Sequence, residues 1–125
     1  MERRVTGAMS RLTVKERKKE DLVFKALANS DRRAMLDYVQ EQPRMTAEFC
    51  EHLNDLDRCT VMLHLRVLEE AGLLIAKKQG RCKLHYLNVV PVQRVYERWI
   101  KAYAQPAATL LTRIAEQFDG EPRRT

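Results

Sequence analysis

Hydrophobic and polar positions change period part-way along this chain. Val61, Leu65 and Leu68 recur at i, i+4 and i+7, the spacing of one buried stripe on an α-helix. Gly72 follows where a left-handed helix end needs a residue without Cβ. Beyond Leu73, Leu74 and Ile75, the residues Leu84 and Tyr86 alternate with Lys83 and His85, the period of a strand with one wet face. Gly80 marks the tip of a hairpin. The stretch Leu56–Leu87 is therefore read as a helix, a glycine stop and a two-stranded β-hairpin, with His85 a surface residue of its strand rather than a ligand.

Upstream, Val23, Phe24 and Leu27 predict a helix from about Glu20 that ends near Asn29-Ser30, a polar pair able to cap the next one. A second helix over Asp31–Glu41 buries Met35, Leu36 and Val39, and Pro43 closes it. A third opens over Met45–Phe49, with Thr46 as its N-cap and Phe49 and Leu53 inward. It stops near Asn54-Asp55. A turn of about four residues then leads into the helix of Val61, so two short helices meet through a tight connection, the helix-turn-helix plan.

After the hairpin, Pro91 suits the first position of a long last helix. Val92, Val95, Tyr96, Trp99, Ile100 and Tyr103 give it a wide apolar face, which resumes beyond Pro106 with Leu110, Leu111, Ile114 and Phe118. Pro106 is expected to kink or interrupt it. So much apolar surface exceeds what a small three-helix core absorbs. The last helix and the first are therefore expected to pack across a two-fold axis in a homodimer, through Phe24, Val95, Tyr96, Trp99, Ile100, Tyr103, Leu110 and Ile114. Tyr96, Trp99 and Tyr103 could line an effector pocket at that interface, but packed core is the plainer reading of an aromatic helical stripe.

The chain has 125 residues, enough for one domain with a dimerising extension. The expected division is a basic flexible arm over 1–19, a DNA-binding unit over 20–90, a dimerisation helix over 91–119 and a tail over 120–125. The fold class is mainly α with a small β-hairpin. Twenty-three Lys and Arg against 17 Asp and Glu give a formal charge of +6, which favours polyanionic partners. Where the charge sits is more telling. Met1–Lys19 holds seven cations and two anions, and Lys77, Lys78, Arg81 and Lys83 place four cations and no anion in seven residues. A helix followed by a cationic β-arm suits duplex DNA, the helix in the major groove and the arm along phosphates.

Other chemistry is thin. No run approaches the length of a membrane span and the first residues lack the apolar centre of a secretory signal, so the cytoplasm is the expected compartment. Cys50, Cys59 and Cys82 match neither a disulfide framework nor a zinc knuckle. With four glycines, no phosphate loop and no nucleophile beside a partnered His and acid, the chain does not read as an enzyme, and no cofactor is expected.

Several motifs in order carry a family resemblance: Phe24–Arg33 (FKALANSDRR), Val61–Leu74 (VMLHLRVLEEAGLL), Gly80–Asn88 (GRCKLHYLN) and Val90–Ile100 (VPVQRVYERWI). From about Leu22 to Ile114 the chain resembles the ArsR-type winged helix-turn-helix transcriptional regulators. The resemblance implies a dimeric repressor that binds an operator and leaves when a signal arrives, the signal here unknown. It implies DNA contacts from Arg58, Cys59, Thr60, Met62, Leu63 and His64 on the recognition helix and from the wing around Gly80 and Arg81. Arg66, Lys77, Lys78 and Lys83 join them by charge and position, and His64 is read as a DNA contact rather than a filler beside the wing.

Two positions depart from the family pattern. Met62 stands where many members have Ser, and Leu63 where they have Arg, Lys or Gln. Neither can donate a hydrogen bond to a base, although both can press against thymine methyls. The thiolate pair of metal-sensing members would fall near Met45 and Ala47, and the last helix has no His, so no metal site is expected. Cys50 and His52, two apart, point to different sides of a helix. Oxidation of Cys59 or Cys82 is an alternative signal, less favoured than plain packing because only Arg58 and Arg81 are near in sequence to lower a thiol pKa. A winged-helix module binding protein through Met62, Leu63 and Val67 is the remaining alternative; the four unneutralised cations of the hairpin argue for DNA instead.

Overall fold

The computed structural model describes residues 12–119. The order is α1 (Val14–Leu27), α2 (Ser30–Glu41), β1 (Arg44–Met45), α3 (Thr46–His52), α4 (Arg58–Glu70), β2 (Leu74–Gln79) and β3 (Cys82–Leu87). A long terminal helix then runs as α5 (Val90–Val95), one π-helical turn (Tyr96–Ile100) and α6 (Lys101–Asp119).

The first helix starts six residues earlier than its apolar pattern predicts. Thr13 Oγ1 accepts the Glu16 N–H at 3.1 Å while the Glu16 carboxylate accepts the Thr13 N–H at 2.8 Å, a reciprocal cap that satisfies two otherwise orphaned donors. Lys15, Arg17, Lys18 and Lys19 therefore lie on α1 and not on a flexible arm; the arm's first eleven residues lie outside the described ones. Asn29 caps α2 through the Arg32 N–H at 3.0 Å, as its polar pair suggests.

Ala26, Met35, Val39, Phe49, Val61, Leu65, Leu68, Leu73 and Leu74 form the core where α1 to α4 meet the sheet. All three residues of the α4 stripe are buried. At the end of α4, Gly72 takes φ +78°, the left-handed conformation that only Gly enters without strain. Leu73 then leads directly into β2.

The sheet has three strands in the order β1-β3-β2. The two-residue β1 is invisible to a periodicity argument, and it changes the reading of α3. Met45, not Thr46, precedes the helix, with Glu48 Oε1 accepting the Met45 N–H at 2.7 Å. Thr46 instead turns its hydroxyl to His85 Nε2 at 2.9 Å.

His85 is a correction to the surface assignment: it is 1% exposed. The alternation along β3 is right, but the faces are exchanged. Antiparallel pairing sets Ala76 opposite His85 and Leu74 opposite Leu87, and on the other face Ile75 opposite Tyr86 and Lys77 opposite Leu84. In a strand of period two, one residue of offset moves every side chain across the sheet. The Phe49 ring packs against His85 in a T-shaped arrangement, 5.5 Å between centroids.

The terminal helix shows two further differences. Pro106 lies inside α6 without interrupting it, and the irregular turn falls at Tyr96–Ile100, where Lys101 N–H bonds back five residues to Tyr96 O. Val95 is 5% exposed within the single chain, so it has almost no surface left for a dimer partner. A bidentate pair ties this helix to α1: Arg98 Nε and Nη2 donate to the two Glu20 oxygens at 2.8 and 2.7 Å. Those donors hold the Glu20 carboxyl below its ordinary pKa.

Candidate nucleic-acid interface

Burial of Val61, Leu65 and Leu68 fixes the rotation of α4 and so decides what it shows outward. Arg58, Cys59, Met62, Leu63 and Arg66 are exposed, whereas Thr60 and His64 are half-buried. At the helix start, Asp57 Oδ1 accepts the Thr60 N–H at 2.7 Å. That bond lowers the Asp57 pKa and keeps an anion at the positive end of the helix.

His64 is held by a residue that periodicity does not single out. Arg32 donates Nη1 to His64 Nδ1 at 3.2 Å, Nε to Ala26 O at 2.9 Å and Nη2 to Lys25 O at 2.8 Å. One guanidinium thus closes the end of α1 and grips α4. Because arginine only donates, His64 Nδ1 accepts and the ring proton sits on Nε2. The sequence signal for Arg32 was its place in FKALANSDRR, not any spacing.

The hairpin follows α4 at once. Gly80 at φ +63° and Arg81 make a two-residue turn between Gln79 and Cys82, with the glycine where a II′ turn needs it. Lys77, Lys78, Arg81 and Lys83 are all exposed. In this register Lys78 lies directly opposite Lys83. Like charges facing each other across two strands repel, so the tip carries an electrostatic cost that an anion would remove. On the other face of the hairpin, Lys77 Nζ sits 5.7 Å from the Tyr86 ring.

An outward recognition-type helix joined by a left-handed glycine to a doubly cationic hairpin tip is a winged helix-turn-helix, and comparisons with known proteins agree. A family described as a helix-turn-helix domain matches residues 27–75. The HTH-type transcriptional regulator YuzN of Bacillus subtilis is 31% identical over 88 residues, spanning 66% of this chain and 96% of that protein. The chain belongs to the helix-turn-helix transcriptional regulators. Among solved structures, an ArsR-like transcriptional regulator from Rhodococcus matches at 24% identity and TM-score 0.63, covering 85% of this chain and 98% of that one. HlyU from Vibrio cholerae matches at 23% and 0.56, covering 74% and 99%. At these identities they establish the fold, which is the ArsR-type winged one. Regulators of this class bind DNA, and that class is not enzymatic.

The remaining residues of interest in this regulator fall into two groups. Phe24, Tyr96, Trp99, Ile100, Tyr103, Leu110 and Ile114 are all exposed in the single chain. Tyr96, Trp99 and Tyr103 are therefore not core of this chain, contrary to the plainer reading of the stripe; the Trp99 and Tyr103 rings meet at a tilt, 4.8 Å between centroids and 42° between planes. The other group surrounds α3. His52 stacks on Tyr38 at 3.9 Å, and the Arg44 guanidinium lies over the same ring at 3.8 Å. Cys50 is half-buried, Cys59 and Cys82 are exposed, and among the described residues no group of three or more His, Cys, Asp or Glu could hold a metal ion. No helix among them is long and apolar enough to cross a membrane.

Proposed function

We propose that this regulator is a cytoplasmic, dimeric, sequence-specific repressor. Arg58, Cys59, Thr60, Met62, Leu63, His64 and Arg66 address the major groove, and Lys77, Lys78, Arg81 and Lys83 track the adjoining phosphates. The observation that carries the reading is the Lys78–Lys83 pair at the hairpin tip beside two more cations, an arrangement that a polyanion relieves. Two subunits joined through the exposed stripe of the last helix and Phe24 set half-sites about one helical turn apart, roughly 34 Å. A repressor bound there occludes polymerase, and an effector releases it.

The test is titration of the full chain against a duplex from upstream of its own gene and a random-sequence duplex at two salt concentrations. Salt-dependent binding that prefers the upstream duplex supports the reading. Absence of binding in every condition overturns it and favours a protein-binding winged helix. Exposure of the Cys59 thiol on the groove side of α4 supports a second reading, in which peroxide oxidation of the thiol to a sulfenic acid, with release of water, lowers affinity. Cys59→Ser then binds DNA but ignores peroxide; if it stays sensitive, that reading fails for Cys59.

A further inference from the structure

We propose that the recognition helix reads thymine methyl groups, with Met62 and Leu63 packing on the C5-methyls of thymines at neighbouring base pairs. This rests on the DNA-binding reading above and names the class of duplex the site takes.

Met62 is 44% and Leu63 56% exposed, on a helix whose packing is already complete through Val61, Leu65 and Leu68. Neither belongs to the buried core or to the partly buried residues packed against it. They stand in the second turn of α4, the half of a recognition helix that meets base edges. With Cys59 three and four residues before them and Arg66 four and three after, they form one patch of i, i+3, i+4 and i+7 neighbours. Three of its four members are apolar or, in the case of the thiol, poor hydrogen-bond donors.

The major groove offers one apolar group, the thymine methyl; every other feature there is a donor or an acceptor. An apolar patch laid over G·C edges would strip water from those polar groups and return nothing. Laid over thymines, it buries methyl against methyl or thioether. The occupant is DNA rather than an apolar protein surface because cations bracket the patch, Arg58 and Arg66 on the helix and Lys77, Lys78, Arg81 and Lys83 on the hairpin, all exposed. Phosphates complement that charge. Arg58 and Arg66 then supply the polar contacts at either end, so the favoured half-site has a thymine-bearing centre.

The experiment is selection of bound duplexes from a random-sequence pool by the full-length protein, followed by replacement of each thymine of the selected duplex with uracil. Uracil keeps every hydrogen-bonding group and removes only the methyl. At one or two central positions uracil should weaken binding about fourfold per methyl, the value of one buried carbon. Placing 5-methylcytosine against cytosine at the same position should recover part of the loss. Leu63→Ala and Met62→Ala, both at exposed helical sites, should bring the thymine-to-uracil ratio toward one while leaving the salt dependence unchanged. Enrichment of duplexes whose affinity is indifferent to uracil, or a ratio unmoved by both variants, overturns the inference and leaves DNA binding standing. Failure to enrich any duplex overturns the DNA-binding reading itself, and this inference with it.

Discussion

Arg32 Nη1 and His64 Nδ1 lie 3.2 Å apart, joining the start of α2 to the recognition helix. The same guanidinium closes two carbonyls at the end of α1, so its removal takes a donor from Ala26 O and His64 Nδ1, while Lys25 O keeps the Ala28 N–H. Arg32→Ala is expected to cost about 1–3 kcal/mol of unfolding free energy, the range for part-buried groups that lose a charged partner. Urea unfolding measures it. Long-range proton–nitrogen spectra give a sharper readout: His64 Nδ1 is unprotonated in the wild type, and loss of Arg32 releases that preference. A mixed tautomer in the wild type would show that the contact does not govern the ring.

The hairpin tip makes a prediction about salt. Arg81 follows Gly80 in the turn and is exposed, so Arg81→Ala should weaken binding to specific and random duplexes by the same factor. The slope of log affinity against log salt should fall by about one. Arg58→Ala and Thr60→Ala should instead change which duplexes are preferred. Fluorescence anisotropy across a salt series separates the two behaviours, and an Arg81→Ala protein that binds as the wild type does would remove the wing from the interface.

Trp99 tests the dimer. At 44% exposure in the single chain much of its ring is left for a partner to cover. Trp99→Ala should therefore lower the melting temperature mainly by shifting subunits apart, and the loss should shrink as protein concentration rises. Sedimentation velocity is expected to show the wild type as a dimer and the variant shifted toward a folded monomer. A wild type that sediments as a monomer at all concentrations would refute the arrangement.

His85 makes stability depend on pH. Burial lowers its pKa, with Glu69 acting the other way and Lys83 reinforcing the shift; Arg44 is its partner on the neighbouring strand. Its Nδ1 has no hydrogen-bond partner among the described residues. With the folded pKa below the unfolded value of about 6.5, the unfolded chain binds the proton more readily. The stabilisation is whole above about pH 6.5 and is lost as pH falls through the folded pKa. The depressed carboxyls of Glu20 and Asp57 act in the same direction, but only near and below pH ~4. His85→Gln should flatten the profile between about pH 7 and pH 5 in denaturant unfolding, and an unchanged slope would assign that dependence elsewhere.

How much of this was legible in the sequence depends on what each feature rests on. The α4 stripe, Gly72 and the cationic hairpin were readable because a single spacing or charge run defines each. The side His85 takes is not legible because alternation gives a strand's period and not its side; the side is set by Arg44–Met45 pairing with β3, contacts between residues 41 and 39 positions apart. Val95 was misassigned for a similar reason, since a helix apolar on a wide face does not say which part its own chain covers. The early start of α1 is legible in Thr13 and Glu16, which spell a capping box, although the cations around them carry no apolar period. Arg32 had no signal in periodicity, because its role is to bridge three segments.

The π-helical turn at Tyr96–Ile100 separates a segment whose Val95 packs on its own chain from the 19-residue α6, whose large apolar side chains face outward. One residue more in that turn than an α-helix would hold acts as a phase shift along the rod. Winding the same residues as an unbroken α-helix, with the extra residue no longer absorbed, would rotate everything downstream by about 100°. Tyr103, Leu110, Ile114 and Phe118 would keep their identities and their spacing while pointing to another side relative to Val95, although no residue of the stripe had been replaced.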